Sequence, residues 1–526
     1  NDSVEEEIGC CNVPDPGSLA QGIPSSSNLR NSQSNPGRFI KSTRSLCPAC
    51  LQHIDAAVFE RDGEVWMDKR CGQHGEFSVL LSSEARHYYS ARPSTSLGSC
   101  CGPAGCGTPG KASNAQQLRP NDAPGQSFPC SPWTNHSCTV LIEIIERCNL
   151  SCPTCFAGSS PQHDGLMSLQ EFTRQVDGLV AGGKRGADMI QLSGGEPTIH
   201  PKLVDMIDLL FQRGFTHVTI NSNGIKLAQP AFVKRLAEVA ARHPSKELFI
   251  YLQFDGFDAG THQQLRGRDD LLDIKRRAIE LCHLHGISVH PVMTLTRGIN
   301  DHEVGDFIRL AVEQPQLKNV VVQPAMYSGR YDNPRRDDRI TLADTVNLVC
   351  DQFGVFQPED FMPIPCSDPN CFGMATAVRT RRGLQPLSRF LPRYEDWGNE
   401  AARGLIDTFS NTINGPAAMD AAVQWVATGA GSATLAQLDD AEVDQLLDAL
   451  LEAQQHPDGI WSQLLTISIK PFMDAWSYDQ DRIDACCVHI LDREGKPVSF
   501  CEYNALTRPT QLQVASKAKL PLELRA

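Results

Sequence analysis

The stretch Arg147-Cys148-Asn149-Leu150-Ser151-Cys152-Pro153-Thr154-Cys155-Phe156 contains three cysteines in a C-x3-C-x2-C spacing, followed directly by an aromatic residue. Three thiolates on one tight loop can hold three irons of a 4Fe-4S cube, which leaves the fourth iron without a protein ligand. Ferredoxin motifs use other spacings and supply a fourth cysteine, and structural zinc sites more often carry paired C-x2-C knuckles. We therefore predict that Cys148, Cys152 and Cys155 bind a catalytic cluster with one open iron.

Strand-like runs alternate with helical patterns on both sides of this loop. Thr139–Ile145 leads directly into the cysteines, and Met189–Ser193 ends in Gly194-Gly195-Glu196-Pro197. Alternating strands and helices predict a parallel sheet. Six such units predict an α/β fold with a partial (β/α)6 barrel, whose functional residues lie at the carboxyl ends of the strands. The other runs are His217–Asn223, Leu248–Asp255, Ile287–Leu295 and Asn319–Pro324, with helical patterns such as Pro230–His243 and Asp269–His285.

Polar residues occupy the carboxyl ends of these predicted strands. The glycines of the GGEP segment would let the backbone approach a ligand closely. For each polar residue taken alone, a hydrogen bond to a neighbouring loop explains its presence nearly as well as a ligand does. The candidates are Ser222, Asn223, Gln253, Asp255 and Thr294.

The cysteine triplet, the GGEP segment and the strand intervals together resemble the radical SAM superfamily. That resemblance implies that S-adenosylmethionine (SAM) chelates the open iron and is cleaved reductively to methionine and a 5′-deoxyadenosyl radical. The protein would contribute positioning and the exclusion of water. The resemblance also implies that Glu196 and neighbouring carbonyls receive the SAM amino group. The implied SAM contacts are Phe156, Gly194, Gly195, Glu196, Pro197, Ser222, Asn223, Gln253, Asp255 and Thr294.

Composition limits the remaining functional classes. The chain has 526 residues, of which 41% are hydrophobic and 21% charged, which predicts a globular protein of several domains. A net charge of −14 argues against nucleic-acid binding and against attraction to anionic lipid headgroups. No apolar stretch reaches the length of a membrane span, and no cleavable signal peptide is visible. We therefore predict a cytoplasmic enzyme, with peripheral membrane contact as an open alternative.

Twenty cysteines in one chain indicate further metal sites. Cys47-Pro-Ala-Cys50 and Cys71-Gly-Gln-His74 form two knuckles on either side of a predicted hairpin, which turns at Asp62-Gly63. These four residues predict a structural Cys3His site in a ribbon. Zinc is the default ion, and a mononuclear iron of the rubredoxin type is the alternative.

Two further cysteine groups indicate additional 4Fe-4S clusters. The first precedes the barrel and is divided by the Pro/Gly/Ser-rich loop 107–127. Its predicted ligands are Cys101, Cys106 and Cys130, with Cys138 or Cys100 as the fourth; free thiols in an irregular loop are the alternative. The second group is split in sequence, and its predicted ligands are Cys366, Cys371, Cys487 and Cys501, with Cys486 in reserve for Cys487. Cys282 and Cys350 lie in apolar helical patterns and are predicted to be structural.

The order of the motifs resembles one radical SAM subgroup more closely. CPAC, CxxHG, CNLSCPTCFA, SGGEPT, QP…SGR, CSDPNC and SFCEYN occur in the same order in the tetraether lipid synthases and the class D radical SAM methyltransferases, which include a pterin-methylating enzyme. The resemblance runs from about residue 39 to residue 504 and implies about three 4Fe-4S clusters and one mononuclear iron or zinc. One departure is the loop 107–127, which opens a pre-barrel motif that is compact in the family.

The prediction that follows is a radical SAM enzyme that forms a C–C bond at an unactivated carbon, first of a lipid chain as in tetraether coupling. The alternative is methylation of a pterin-like or other small substrate. The third hypothesis is a non-catalytic iron–sulfur electron-transfer or scaffold protein. The implied partner is a low-potential donor of the ferredoxin or flavodoxin type. The predicted domains are a flexible segment (1–38), a metal ribbon (39–98), an auxiliary-cluster segment (99–137), the barrel (138–345) and a C-terminal α+β cluster domain (346–526) with a helical insert (401–454).

Overall fold

The structure, a computed structural model, describes residues 37–90, 137–181, 186–331, 339–364, 367–388, 440–457 and 459–509. In this part of the chain the strands form two sheets, one of four strands and one of eleven. Four predicted cluster ligands lie outside the described residues, namely Cys101, Cys106, Cys130 and Cys366.

The N-terminal sheet is an antiparallel ribbon in which each strand pairs with the next along the chain. Its central hairpin turns at Asp62 and Gly63, whose φ angles are 51° and 83°, as a two-residue turn of this kind requires. Arg61 and Glu64 pair across that turn, which confirms the predicted hairpin. The strands are β1 (Arg38–Leu46), β2 (His53–Arg61), β3 (Glu64–Cys71) and β4 (Gly75–Ser82).

Six parallel strands form the centre of the larger sheet, in the order in which they occur in the chain. Val140, Leu141 and Ile142 are consecutive, yet none is more than 4% exposed. Burial on both faces is expected where a parallel sheet is covered on each side. The six strands predicted from the sequence are confirmed as β5 (Thr139–Ile145), β6 (Met189–Gly194), β7 (His217–Ser222), β8 (Glu247–Gln253), β9 (Ser288–Leu295) and β10 (Asn319–Pro324).

Five further strands extend this sheet at its two edges: β11 (Gly373–Thr380), β12 (Gly383–Pro386), β13 (Leu464–Ile469), β14 (Val488–Leu491) and β15 (Pro497–Ser499). β13 pairs in parallel with β10, and β14 pairs in parallel with β5. The hairpin of β11 and β12 continues beyond β13, and β15 continues beyond β14. The strands of the predicted C-terminal domain therefore join the barrel sheet and add parallel strands to the predicted six.

Helices connect the barrel strands and bury one apolar face each. The N-terminus of the helix that follows Thr341 is held by a capping box, in which Thr341 and Asp344 each accept a hydrogen bond from the other's backbone N–H. The helices are α1 (Ala85–Ser90), α2 (Leu169–Leu179), α3 (Leu203–Gln212), α4 (Pro230–Ala241), α5 (Ala259–Arg266), α6 (Leu271–Leu284), α7 (Val304–Glu313), α8 (Leu342–Phe353), α9 (Asp440–Gln454), α10 (Gln480–Asp484) and α11 (Phe500–Glu502).

The ribbon is anchored to the segment that follows β13. Lys69 is 4% exposed, and its ammonium donates hydrogen bonds to the carbonyls of Ala475 (2.9 Å) and Trp476 (2.6 Å). Leu46, at the end of β1, packs in one apolar cluster with Met326 and Phe500. Both of these residues also line the cavity at the carboxyl ends of the barrel strands. The ribbon therefore lies beside that end of the barrel.

The helical insert predicted at 401–454 is described only from residue 440 onward, as α9. Ala449 and Ala453 of this helix pack against Val378 of β11 and Leu464 of β13. This part of the insert therefore packs on the edge of the sheet. Within the described ranges, no helix is long and apolar enough to cross a bilayer.

Candidate functional site

The cysteine triplet lies on the loop that follows β5. Cys148 and Cys152 are buried and Cys155 is partly exposed. Burial, together with the negative charge of Glu196, raises the pKa of Cys148 to about 12. The Leu150 amide donates a hydrogen bond to the Cys148 sulfur at 3.4 Å, as amides do around cluster sulfurs. Because iron binds thiolates, cluster binding here would release protons.

Arg330 fixes the backbone of this loop. Its guanidinium donates hydrogen bonds to the carbonyls of Cys152 (2.8 Å), Gly158 (2.6 Å) and Ser159 (2.7 Å). Gly329 lies so close to the loop that a Cβ there would come within 2.3 Å of the Phe156 carbonyl oxygen. The SGR motif therefore holds the cysteine loop against the barrel, a role that its sequence does not indicate.

The two glycines after β6 allow close contact with the same loop. A Cβ on Gly194 would lie 2.1 Å from the Ile145 carbonyl oxygen, and one on Gly195 would lie 2.1 Å from that of Arg147. The Gly195 amide donates to the Ile145 carbonyl at 2.6 Å. The sequence predicted that these glycines let the backbone approach a ligand. In the structure they let it approach the backbone at the start of the cysteine loop, with both glycines also on the cavity wall.

Glu196 directly follows the Gly194-Gly195 pair and contacts the carboxyl end of β7. It is 1% exposed, and its carboxylate accepts hydrogen bonds from the hydroxyls of Thr198 and Ser222 (2.9 Å for Ser222) and from the Asn223 amide (2.8 Å). Burial raises its pKa, although these hydrogen bonds oppose the shift. The Asn223 side chain in turn donates to Asn149 in the cysteine loop at 2.7 Å. Glu196 therefore joins the ends of β6 and β7 to the cysteine loop.

A buried ion network lies beneath the triplet. Asp255 is fully buried and accepts hydrogen bonds from the Arg266 guanidinium at 2.7 Å and 2.5 Å, with the Lys275 ammonium at 3.4 Å. Burial alone would raise the pKa of Asp255, but Arg266 and Lys275 lower it well below its usual range. The positive charge of Arg266 opposes the rise that burial causes in the pKa of Cys152. No motif in the sequence indicates this role for Arg266 or Lys275.

Most of the residues predicted to contact SAM line a single cavity. The space at this cavity, which includes open solvent, is about 1480 Å3. The two exceptions are Asp255 and Pro197, which do not line it. Asp255 is taken up by the ion network, and Pro197 begins a buried turn, so a SAM contact of these two residues stays a prediction. The nominated residues on the wall are Cys148, Cys152, Cys155, Phe156, Gly194, Gly195, Glu196, Ser222, Asn223, Gln253 and Thr294.

The four residues predicted for the ribbon site converge. The donor atoms of Cys47, Cys50, Cys71 and His74 all lie within 4.8 Å of one another. The Cys50 and Cys71 sulfurs are 3.9 Å apart, close to the ~3.8 Å edge of a tetrahedron with Zn–S bonds of about 2.3 Å. Hydrogen bonds from the Gln73 backbone and from His74 lower the pKa of Cys71 to about 6. The donor set therefore fits a four-coordinate metal ion.

Three of the four thiols predicted for the C-terminal cluster lie within the described residues, namely Cys371, Cys487 and Cys501. Burial raises the pKa of Cys501, and the negative charges of Cys486 and Cys371 add to that rise. The sequence had assigned Cys487 and kept Cys486 in reserve. In the structure the Cys487 carbonyl accepts a hydrogen bond from the Cys138 amide at 2.9 Å, which joins Cys487 to the segment before the barrel. The Arg482 guanidinium donates to the Cys371 sulfur at 3.3 Å, a contact that the sequence did not indicate.

Two family models and several known proteins match this chain. The HMPTM N-terminal zinc ribbon domain matches residues 39–83, and the radical SAM superfamily matches residues 142–311. The chain is 30% identical to 7,8-dihydro-6-hydroxymethylpterin dimethyltransferase of Methanocaldococcus jannaschii, over 92% of this chain and 96% of that protein. It is 28% identical to GTP 3′,8-cyclase of Desulforamulus reducens, over 34% of this chain and 52% of that protein. Among solved structures, Streptococcus suis SuiB bound to SAM aligns over 41% of this chain and 46% of that one, at 18% identity and a TM-score of 0.33.

Proposed function

We propose that this chain, which belongs to the radical SAM superfamily and to the family of the pterin dimethyltransferase, is a C-methyltransferase that acts on a pterin-like heterocycle. The relative that aligns over nearly its whole length is named for methylation of a pterin. Lipid coupling, which ranks first on sequence grounds alone, has no support among these comparisons. The alternative of methylation therefore replaces it.

The observation that carries this proposal is a set of polar side chains in the otherwise largely apolar wall of the cavity. Gln191, Asn221, Gln323 and Lys470 all line it, whereas the interior of a barrel is ordinarily filled by branched apolar side chains. Gln191 and Asn221 are already hydrogen-bonded to neighbouring side chains, but a lipid chain would bury the Lys470 ammonium and the Gln323 amide against hydrocarbon, which costs free energy for both. A small polar heterocycle can satisfy them.

We infer that Cys148, Cys152 and Cys155 hold a 4Fe-4S cluster, with SAM between them and the strand ends. When bound, these groups supply a radical able to take hydrogen from an unactivated carbon. The chain's own residues position them: Arg330 holds the loop, and the positive charge of Arg266 favours the thiolate form of Cys152. Phe156 and Phe500 meet edge to face at 5.8 Å, and this apolar wall would exclude water from the reacting carbon.

We assign the ribbon site a structural role, with zinc as its ion, because four protein donors leave no open coordination position. For the other clusters we infer that Cys371 and Cys501 share one with Cys487, for which Cys486 is the reserve, and that the thiols before the barrel share another. Three clusters in all require about twelve iron and twelve sulfide per chain. The electron donor would be a low-potential protein of the ferredoxin or flavodoxin type.

The test is a competition between the two substrate classes. The anaerobically reconstituted protein would be incubated with dithionite, SAM and either 7,8-dihydro-6-hydroxymethylpterin or diether lipid in vesicles. A SAM molecule cleaved to 5′-deoxyadenosine keeps its methyl group on methionine, so the reaction also receives a deuterated one-carbon donor, either a second equivalent of methyl-labelled SAM or methylene-labelled tetrahydrofolate. We expect deuterium in a methylated pterin from one of these donors and unchanged lipid; a reaction without dithionite is the control. Unlabelled pterin together with coupled lipid chains would overturn the proposal.

A further inference from the structure

The cavity contains a cation that the SAM site does not use. Lys470 directly follows β13, so it stands at the carboxyl end of a strand that runs parallel to β10. The register pairs Val322 with Ile469, which makes Gln323 and Lys470 the next pair along the two strands. Both side chains line the cavity. In barrels of this type, residues at these strand ends meet the substrate.

The ammonium of Lys470 has aromatic and hydroxyl neighbours in place of a counter-charge. It lies 3.4 Å from the Tyr251 hydroxyl and 5.5 Å from the ring centroids of Tyr251 and Phe372. Among the described residues, no carboxylate forms a salt bridge with it. A half-buried cation without a carboxylate is costly, and a ligand that supplies an oxygen acceptor would offset that cost.

Side-chain amides lie on the same wall. Gln191 donates to the Asn221 carbonyl oxygen at 2.6 Å, and Asn221 donates to the Ser193 hydroxyl at 3.1 Å. The Gln323 amide makes no side-chain hydrogen bond with the part of the chain that is described. A primary amide offers a donor and an acceptor side by side, which matches the C(=O)–N–H edge of a lactam.

We propose that Lys470, Gln323 and Tyr251 form a subsite for the lactam edge of a planar heterocycle. The Lys470 ammonium donates to the lactam carbonyl oxygen, and the Gln323 amide oxygen accepts the ring N–H. This inference rests on the proposed function and names the residues that would recognise the substrate. Phosphate is the less suitable ligand, because it favours arginine forks and helix N-termini, and the nearby Arg266 is already paired with Asp255.

The test measures binding before turnover. Quenching of pterin fluorescence would give dissociation constants of the reconstituted protein for 6-hydroxymethylpterin and for a 2,4-diaminopteridine, which lacks the lactam carbonyl. We expect the wild-type protein to prefer the lactam. Lys470→Met should weaken binding of the lactam about tenfold to a hundredfold, as for loss of a charge-assisted hydrogen bond, and remove the preference. The preference is the ratio of the two dissociation constants of the same protein. Partial unfolding lowers the amount of binding-competent protein equally for both compounds and leaves this ratio unchanged.

Two further variants sharpen the result. Lys470→Arg should restore part of the preference, and Lys318→Met, at the exposed amino end of β10, should change neither constant. If wild type methylates the pterin but Lys470→Met keeps the preference, the subsite is wrong and the proposed function stands. If wild type binds neither compound, both are overturned. If inorganic phosphate displaces the pterin from wild type but not from Lys470→Met, the subsite binds phosphate and the lactam assignment is overturned.

Discussion

The ribbon and the cysteine loop use the same thiol chemistry in opposite ways. The ribbon brings four donors within 4.8 Å of one another, and the hairpins of its own sheet hold them. The loop offers three cysteines, and its backbone is held by residues from far along the chain, above all Arg330. Four local donors complete a coordination sphere and stabilise a fold. Three donors on an externally supported loop would leave one iron of a bound 4Fe-4S cluster without a protein ligand, beside a cavity that the three cysteines line.

The largest effect is expected when the three cysteines of the loop are removed. Changing Cys148, Cys152 and Cys155 together to Ala should abolish formation of 5′-deoxyadenosine from SAM, since no other triplet lines the cavity in the described part of the chain. The product would be quantified by liquid chromatography under dithionite. Cys350→Ala, a thiol in α8 outside the cavity, should retain the activity. SAM cleavage by the triple variant would contradict the assignment.

Loss of a cysteine from the four-donor ribbon site should instead affect metal content and stability. Cys47→Ser should lose one metal ion per chain and lower the melting temperature, because metal binding and folding of the ribbon are linked. Metal analysis and thermal unfolding would measure both. A variant that loses the metal and its turnover but keeps its stability would indicate a redox role for the ribbon, which would remove the distinction between the two sites.

The ion network beneath the open site gives a third test. Asp255→Asn should lower the free energy of unfolding by about 3–5 kcal/mol, because it leaves two buried cations without their carboxylate. Urea unfolding would measure the loss. The matched control is Asp306→Asn, which breaks the exposed pair with Arg309 and should cost no more than about 0.5 kcal/mol. Equal losses of unfolding free energy for the two variants would mean that the buried network stabilises the protein no more than an exposed ion pair does.

The smallest effect is expected when the hydrogen bonds that Arg330 donates to the cysteine loop are removed. Arg330→Met removes three hydrogen bonds to the loop carbonyls and should slow SAM cleavage by about tenfold, since small displacements of reacting groups are costly. Arg381→Met, at a guanidinium whose side chain is 92% exposed, serves as the control. An Arg330 variant with wild-type rate would mean that the loop holds its own conformation, as the ribbon does.

Local patterns in the sequence were enough to predict the six barrel strands, the hairpin at Asp62-Gly63 and the knuckles of the ribbon. Each depends on residues that are neighbours in sequence. The membership of β13 and β14 in the barrel sheet could not be predicted, because their partners in β10 and β5 lie more than a hundred positions away. The contacts of Arg330 with the loop and of Arg482 with Cys371 also join residues more than a hundred positions apart in the sequence.

Asp255 illustrates a different limit. Its position after a strand suggested a contact with SAM, and Gln253, two residues earlier, does line the cavity. However, β8 ends at Gln253, and beyond the last residue of a strand the alternation of side chains between two faces no longer fixes their direction. Asp255 therefore turns below the cavity and joins Arg266.

The late position of β13 and β14 in the chain has a consequence for synthesis on the ribosome. Strands β5 to β10 are translated first, yet both outer strands of that segment gain their parallel partners only when residues 464–491 emerge. Until then the nascent barrel has two unpaired edges, the kind of surface on which chains aggregate. Binding by chaperones should therefore be strongest while residues 325–463 are being translated, and a stalled chain of that length should be the form most prone to aggregation in the cell.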